Sequence, residues 1–170
     1  SDLARDGRRV PNTKVGVEVR RRKNNFGTDG ADDATATINP STIAGLQNVD
    51  ILGGMAGTNL VRGTSLGNFE ATASSMYGDA NGASTVSAFG IRDTGNDGFI
   101  TTSGNILAVA QLTNTVTATT VHGNAVATAT ADAVGLSGYT VNIIGSGQLN
   151  ASAISNASGL ASSVGGSASA

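Results

Sequence analysis

The chain has 170 residues and a formal net charge of −2; Gly contributes 24 of them, charged residues 13% and aromatics 4%, and Cys and Trp are absent. An interior of large apolar side chains is excluded, because the apolar 39% is mostly Ala and Val. Any core must be thin, as in repeat architectures whose units bury their faces against neighbours. No run reaches the roughly 18 apolar residues of a membrane-spanning helix, and the low charge density is unlike that of chains kept unfolded by self-repulsion.

Read from its beginning, the chain opens on Ser1 rather than Met, as a processed product or a fragment would. Residues 1–23 carry eight of the ten basic residues: Arg5, Arg8, Arg9, Lys14, Arg20, Arg21, Arg22 and Lys23. Against them stand Asp2, Asp6 and Glu18, a net +5, whereas the remainder sets Arg62 and Arg92 against nine acids, a net −7. A basic segment joined to an acidic body is the pattern of an interaction tail. Val15-Gly16-Val17-Glu18-Val19 alternates like a strand, Arg20 to Lys23 follows as a solid basic run, and Asn24 to Gly30 is turn and linker chemistry. Asp29, Asp32 and Asp33 read as solvated linker residues. Residues 1–40 are therefore expected to form an extended basic arm, ending at Asn39-Pro40, whose eight cations bind an acidic surface of other protein subunits. Nucleic acid is disfavoured, because no stacking aromatic or helix signal accompanies the basic run.

Residues 41–170 are organised by a repeat. Ala44-Gly45-Leu46, Phe89-Gly90-Ile91 and Val134-Gly135-Leu136 recur every 45 residues. Met76-Tyr77-Gly78 returns as Val121-His122-Gly123 at the same interval, and Val164-Gly165-Gly166 arrives two residues early. The modules are thus 41–87, 88–132 and 133–170, with Gly45, Gly78, Gly90, Gly123, Gly135 and Gly166 as repeat corners. A shorter pattern, Gly-amide-x-x-Ala-x-Ala, starts at Gly67, Gly104, Gly123 and Gly147. Its intervals of 19 and 24 residues suggest two coils per module. Thr113 to Val121 and Ala125 to Val134 alternate with period two and are rich in β-branched residues, as strands are. The expected fold is all-β: a parallel β-solenoid of about six coils, two per 43–45-residue repeat, about 30 Å long at a strand spacing of about 4.8 Å. Gly165 to Ala170 break off inside the repeat without charge or Pro. Such an end implies a longer parent chain or a covering partner, and leaves end-to-end self-association open.

Few residues offer chemistry. His122 is the only His and shares its repeat position with Tyr77, so it reads as a corner residue; with no Cys, a His-based nucleophilic triad is poorly supported. Asp93 to Gly98 begins like a calcium loop, but Gly104 stands where the bidentate Glu is required. Gly53-Gly54-Met55-Ala56-Gly57 lacks the Lys-Ser/Thr pair of a phosphate cradle. No catalytic residue, metal site or cofactor is expected. Thr115, Thr117 and Thr119 with Thr128 and Thr130 suggest a minor alternative, an ice-binding Thr array.

The modules, with Asp132-Ala133-Val134-Gly135-Leu136-Ser137-Gly138 as the best example, resemble β-solenoid repeat regions of bacterial surface and adhesin-type structural proteins. The resemblance covers about residues 43–170 and implies a non-catalytic structural or adhesive rod at an extracellular or cell-surface location. The alternative expectation is a linker or scaffold subunit of a large complex, docked through its basic N-terminal arm.

Overall fold

A computed structural model of the protein describes residues 2–4, 9–10, 13–28, 32–52 and 60–170. Among these there is no helix, and none therefore long and apolar enough to cross a membrane. The strands are β1 (Asp2–Ala4), β2 (Arg9–Val10), β3 (Thr13–Thr28), β4 (Ala34–Gln47), β5 (Ile51–Leu52), β6 (Leu60–Ser75), β7 (Ala80–Arg92), β8 (Gly98–Thr102), β9 (Asn105–Thr120), β10 (Ala125–Ser137), β11 (Tyr139–Ile143), β12 (Leu149–Ser163) and β13 (Ala168–Ser169). Period-two patterning forms them. Along β9, Ile106, Ala108, Ala110, Leu112, Asn114, Val116, Ala118 and Thr120 are buried, while the residues between them face outward.

The chain visits three sheets in rotation. A front sheet runs β3-β6-β9-β12 and a back sheet β4-β7-β10-β13, both wholly parallel. A side sheet contains β5, β8 and β11 in parallel, with β1 antiparallel to β5 and β2 antiparallel to β1. Parallel neighbours joined by one long circuit are compatible with a β-solenoid.

The ladder register corrects the expected coil count. Leu60 pairs with Asn105 and Ala80 with Ala125, so one 45-residue interval carries the chain through all three sheets and back. The segments beginning at Gly104 and Gly123 do not stack. They open β9 on the front sheet and β10 on the back sheet. Their Ala-x-Ala similarity arises because both walls of a thin slab need small inward residues. Four front strands at about 4.8 Å spacing rise only about 15 Å, whereas a 16-residue strand follows about 50 Å of backbone. The described protein is broader than it is tall.

The expected arm is corrected as well. β3 pairs in parallel with β6 along its whole length, from Thr13↔Leu60 to Thr28↔Ser75, so residues 13–28 form the first front strand. β4 is the first back strand. Asn39-Pro40 does not end a linker but lies inside β4, at the register shift between Ile38 and Ser41. Pro supplies no N–H, and an edge-strand irregularity is where a sheet tolerates it.

Gly45, Gly90 and Gly135 fall at equivalent ladder positions, between paired neighbours such as Phe89↔Val134 and Ile91↔Leu136. They lie inside β4, β7 and β10 rather than at corners. Here the front and back sheets touch backbone to backbone: a Cβ on Gly90 would sit 2.5 Å from Val109 N, 2.6 Å from Gly135 O and 2.9 Å from Ala108 C. A Cβ on Gly45 would strike the backbone of Gly63 and Thr64. This seam divides the interior into two cores. On one side Ala71, Ala73, Ala110 and Ala118 of the front sheet meet Ala34, Ala36, Ala88 and Ala127 of the back, with Phe69, Ile38, Ile43, Leu112 and Val116 filling the widest part. On the other side Ile51 and Ile100 of the side sheet close over Val61, Ile91 and Ile106.

Candidate functional site

Gly78, Gly123 and Gly166 lie in the turns between the front and back sheets, and these turns are tied together circuit to circuit. A hydroxyl ends each front strand. Thr120 Oγ1 donates to Gly78 O (2.7 Å) and accepts from Gly123 N (3.2 Å), while Ser163 Oγ donates to Gly123 O (2.7 Å) and accepts from Gly166 N (2.8 Å). Ser75 repeats the arrangement, donating to Asp32 O (2.8 Å) and accepting from Gly78 N (3.0 Å). One step further, each turn's side-chain oxygen accepts the backbone N–H of the next circuit: Asp79 N on Asp33 Oδ1 (2.8 Å), Asn124 N on Asp79 Oδ1 (2.8 Å) and Ser167 N on Asn124 Oδ1 (3.0 Å). Tyr77 and His122 stack at this corner, with ring centroids 5.0 Å apart and planes within 7°.

The acidic loop after β7 is likewise engaged with backbone. Asp93 Oδ2 accepts from Asp97 N and Gly98 N, both at 3.0 Å, and Asp50 Oδ1 accepts from Phe99 N at 3.0 Å. Tyr139 reaches back two circuits, its hydroxyl accepting from Val49 N and donating to Val49 O at 3.0 Å each. Burial raises the phenol above its ordinary 10.0; the Val49 backbone hydrogen bond opposes the rise, and the charges of Asp93 and Asp50 add to it. Within the slab, Asn114 Nδ2 donates to Ser84 O (3.0 Å) and Thr130 O (2.8 Å), bridging two back strands. Among the described residues, no three His, Cys, Asp or Glu side chains gather as a metal site would require.

The basic residues are divided by the strand they occupy. Arg5 and Arg8 lie outside the described residues; Arg9 is in β2 and Lys14 in β3. Arg20 and Arg22 hold the positions laddered to Gly67 and Phe69, on the inward register, whereas Arg21 and Lys23 lie opposite Asn68 and Glu70 on the outer face. Arg20 pairs with Glu18 at 2.7 Å, Glu18 Oε2 also accepts from Ala44 N at 2.9 Å, and Lys23 approaches Glu70 at 3.5 Å. Asn24, on the inward register, donates to Thr37 O at 2.7 Å. The first front strand thus carries Glu18, Arg20, Arg22 and Asn24 where β6 carries Ser65, Gly67, Phe69 and Ala71, and its Val17 and Val19 face outward, 58% and 61% exposed. A shallow groove with Val19, Arg21, Leu66, Asn68, Gln111 and Thr113 in its lining crosses this outer face.

No family model matches this chain, and neither does any curated protein or solved structure.

The Thr residues considered for an array are split between sheets. Thr115, Thr117 and Thr119 are on β9 and Thr128 and Thr130 on β10, so they form no common rank. Thr115 is flanked in its ladder by Glu70 and Ser158, and Thr117 by Thr72 and Leu160. Sequence reasoning missed the corner ladders, although the spacing from Asp33 to Asp79 to Asn124 runs beside the glycines it did select. It also missed that alternate members of a basic run inside a strand must point to opposite faces.

Proposed function

We propose that the chain is a non-catalytic structural element, a β-solenoid segment serving as an adhesive or supporting part of an extracellular or cell-surface assembly. Each circuit is one coil, giving three coils and the start of a fourth. The reading is carried by where the polar side chains are spent. Asp33, Asp79, Asn124, Thr120 and Ser163 bind the backbone of the neighbouring coil instead of converging on a cleft. Resemblance to bacterial surface repeats and the Ala/Ser/Thr/Gly-rich composition support the location. A scaffold outside the cell must survive proteases, so proteinase K is the test. Residues 60–163 of the folded chain should persist at a protease level that clears the urea-unfolded chain; cleavage within β6, β9 or β10 at the unfolded rate would refute the reading.

A second reading is favoured by the placement of the basic run: a scaffold subunit docked on an acidic protein through β3. Fixing Arg20 to Lys23 in a strand removes the ordering cost a free arm would bear on binding. The intact chain should bind immobilised poly-glutamate at low salt and release it as ionic strength rises. Arg21→Glu with Lys23→Glu should abolish capture, and unchanged capture by that variant would exclude the docking surface.

A further inference from the structure

The groove on the outer face of the front sheet follows the stacking direction. One wall is the ladder column Val19, Leu66 and Gln111, and the other is Arg21, Asn68 and Thr113. Ile154 and Asn156 continue the two columns on β12. Strands in a sheet lie about 4.8 Å apart, so each wall offers one side chain per circuit at that interval. The groove lies on a flank that further circuits would lengthen rather than cover.

The two walls differ in chemistry. Val19 and Ile154 are exposed and Leu66 half-buried, which makes the first wall largely apolar. Asn68, Thr113 and Asn156 on the second wall, and Gln111 facing them, are exposed groups that both donate and accept hydrogen bonds. At the turns, the side-chain oxygens of Asp79 and Asn124 are taken up by backbone N–H groups. In the groove, Asn68, Gln111 and Thr113 make no side-chain hydrogen bond among the described residues. Arg21 is exposed and, unlike Arg20 and Lys23, has no carboxylate at ion-pair distance among the described residues.

A ligand that fills such a groove is a chain with one unit per circuit. An extended peptide advances about 3.3 Å per residue and turns the same side outward only at every second residue, so it falls out of step with the strand interval. A linked pyranose is close to one strand spacing in length. Its C–H face suits the apolar wall, and its hydroxyls, which donate and accept, suit the amides. A carboxylate on the ring complements Arg21, and charge-assisted hydrogen bonds of this kind are the stronger ones.

We propose that this groove binds a linear acidic polysaccharide of linked uronic acids, lying along the stack with successive rings on successive circuits and a carboxylate at Arg21. The inference deepens the adhesive reading and rests on it, and the two fail separately. Digestion of the native chain at the unfolded rate sinks that reading, whereas a resistant chain that binds no polyuronate sinks the groove alone.

The test is calorimetric titration of the full 170-residue chain with polygalacturonate, beside its methyl ester and poly-glutamate. The ester keeps the rings without the charge, and poly-glutamate keeps the charge without the rings. Polygalacturonate should bind about tenfold or more tightly than either. Asn68→Ala with Gln111→Ala should weaken polygalacturonate binding by about tenfold. Both side chains are exposed, so this variant should leave the circular dichroism and the poly-glutamate affinity unchanged. Arg21→Glu should weaken binding of both polyanions, and Asn81→Ala, on the outer face of the back sheet, should alter neither. Equal affinity for the two polyanions is the signature of docking on acidic protein and would overturn the proposal. Unaltered polygalacturonate affinity in the double-amide variant, or no binding of polygalacturonate by the folded chain, would overturn it as well.

Discussion

Gly90→Ala probes the seam where the front and back sheets touch. The added Cβ would lie 2.5 Å from Val109 N, 2.6 Å from Gly135 O and 2.9 Å from Ala108 C. Optimal carbon contacts begin near 3.5 Å, so β7 and β9 must separate locally by about 1 Å. The obstacles are backbone atoms of β9 and β10, both held in ladders, and no side-chain rotation relieves them. Overpacking costs about 1–3 kcal/mol where neighbours can adjust, and the upper end applies here. The narrower unfolded ensemble of Ala offsets about 0.4–1 kcal/mol, leaving a net loss of about 2 kcal/mol. With a urea dependence of about 1–3 kcal/mol/M, the midpoint followed by circular dichroism should fall by about 1 M. Gly165→Ala is the control, because its Cβ meets nothing closer than 3.4 Å and its midpoint should hardly move. Equal midpoints for the two variants would refute the assignment of the glycine column to sheet contact.

Three further outcomes follow from the ladders and corners. Asp79→Ala leaves Asn124 N without its side-chain acceptor and should cost about 1 kcal/mol, by analogy with helix caps; Asp79→Asn keeps the carbonyl oxygen and should unfold within about 0.5 kcal/mol of the native chain. The Tyr139 phenol is raised above 10.0 in the fold, so its contribution is complete below pH 10 and is lost as pH climbs through the raised value. Stability measured from pH 8 to 11 should therefore decline more steeply in the native chain than in Tyr139→Phe, which at neutral pH should lose about 1–2 kcal/mol with the two Val49 hydrogen bonds. Gly165 lies beside His122 with ordinary clearance, so Gly165→Tyr should extend the Tyr77–His122 stack. The expected gain is about 0.5–1 kcal/mol in thermal or urea unfolding.

The strand class and the 45-residue interval were legible because both arise locally. Alternating Ala, Val and Thr set the period-two faces, and identical landmarks return wherever the cross-section repeats. What one landmark does in that cross-section was not legible. Gly90 and Gly123 both recur, yet one sits mid-strand where the front and back sheets touch and the other in a turn, a difference that depends on what lies across the slab. The two-coil expectation failed for a related reason: Gly104 and Gly123 introduce walls that face each other, and facing walls need the same small side chains as stacked ones. Charge misled the reading of the first strand. Arg20 to Lys23 look like a tail by composition, but Val15, Val17 and Val19 already carried strand propensity.

The spacing between ladder partners varies from 49 and 41 residues in the side sheet to 47, 45 and 43 in the front sheet, while the turn at Gly78, Gly123 and Gly166 keeps its bonds throughout. That turn works like a sprocket tooth. Whatever length the chain takes up along the side of one revolution, the hydroxyl and the Asx oxygen catch the next revolution at the same notch. Insertions or deletions along the side sheet are thereby prevented from propagating as misalignment into the rest of the stack. A protein built this way can lengthen, shorten or decorate one flank over generations while its two broad walls stay aligned.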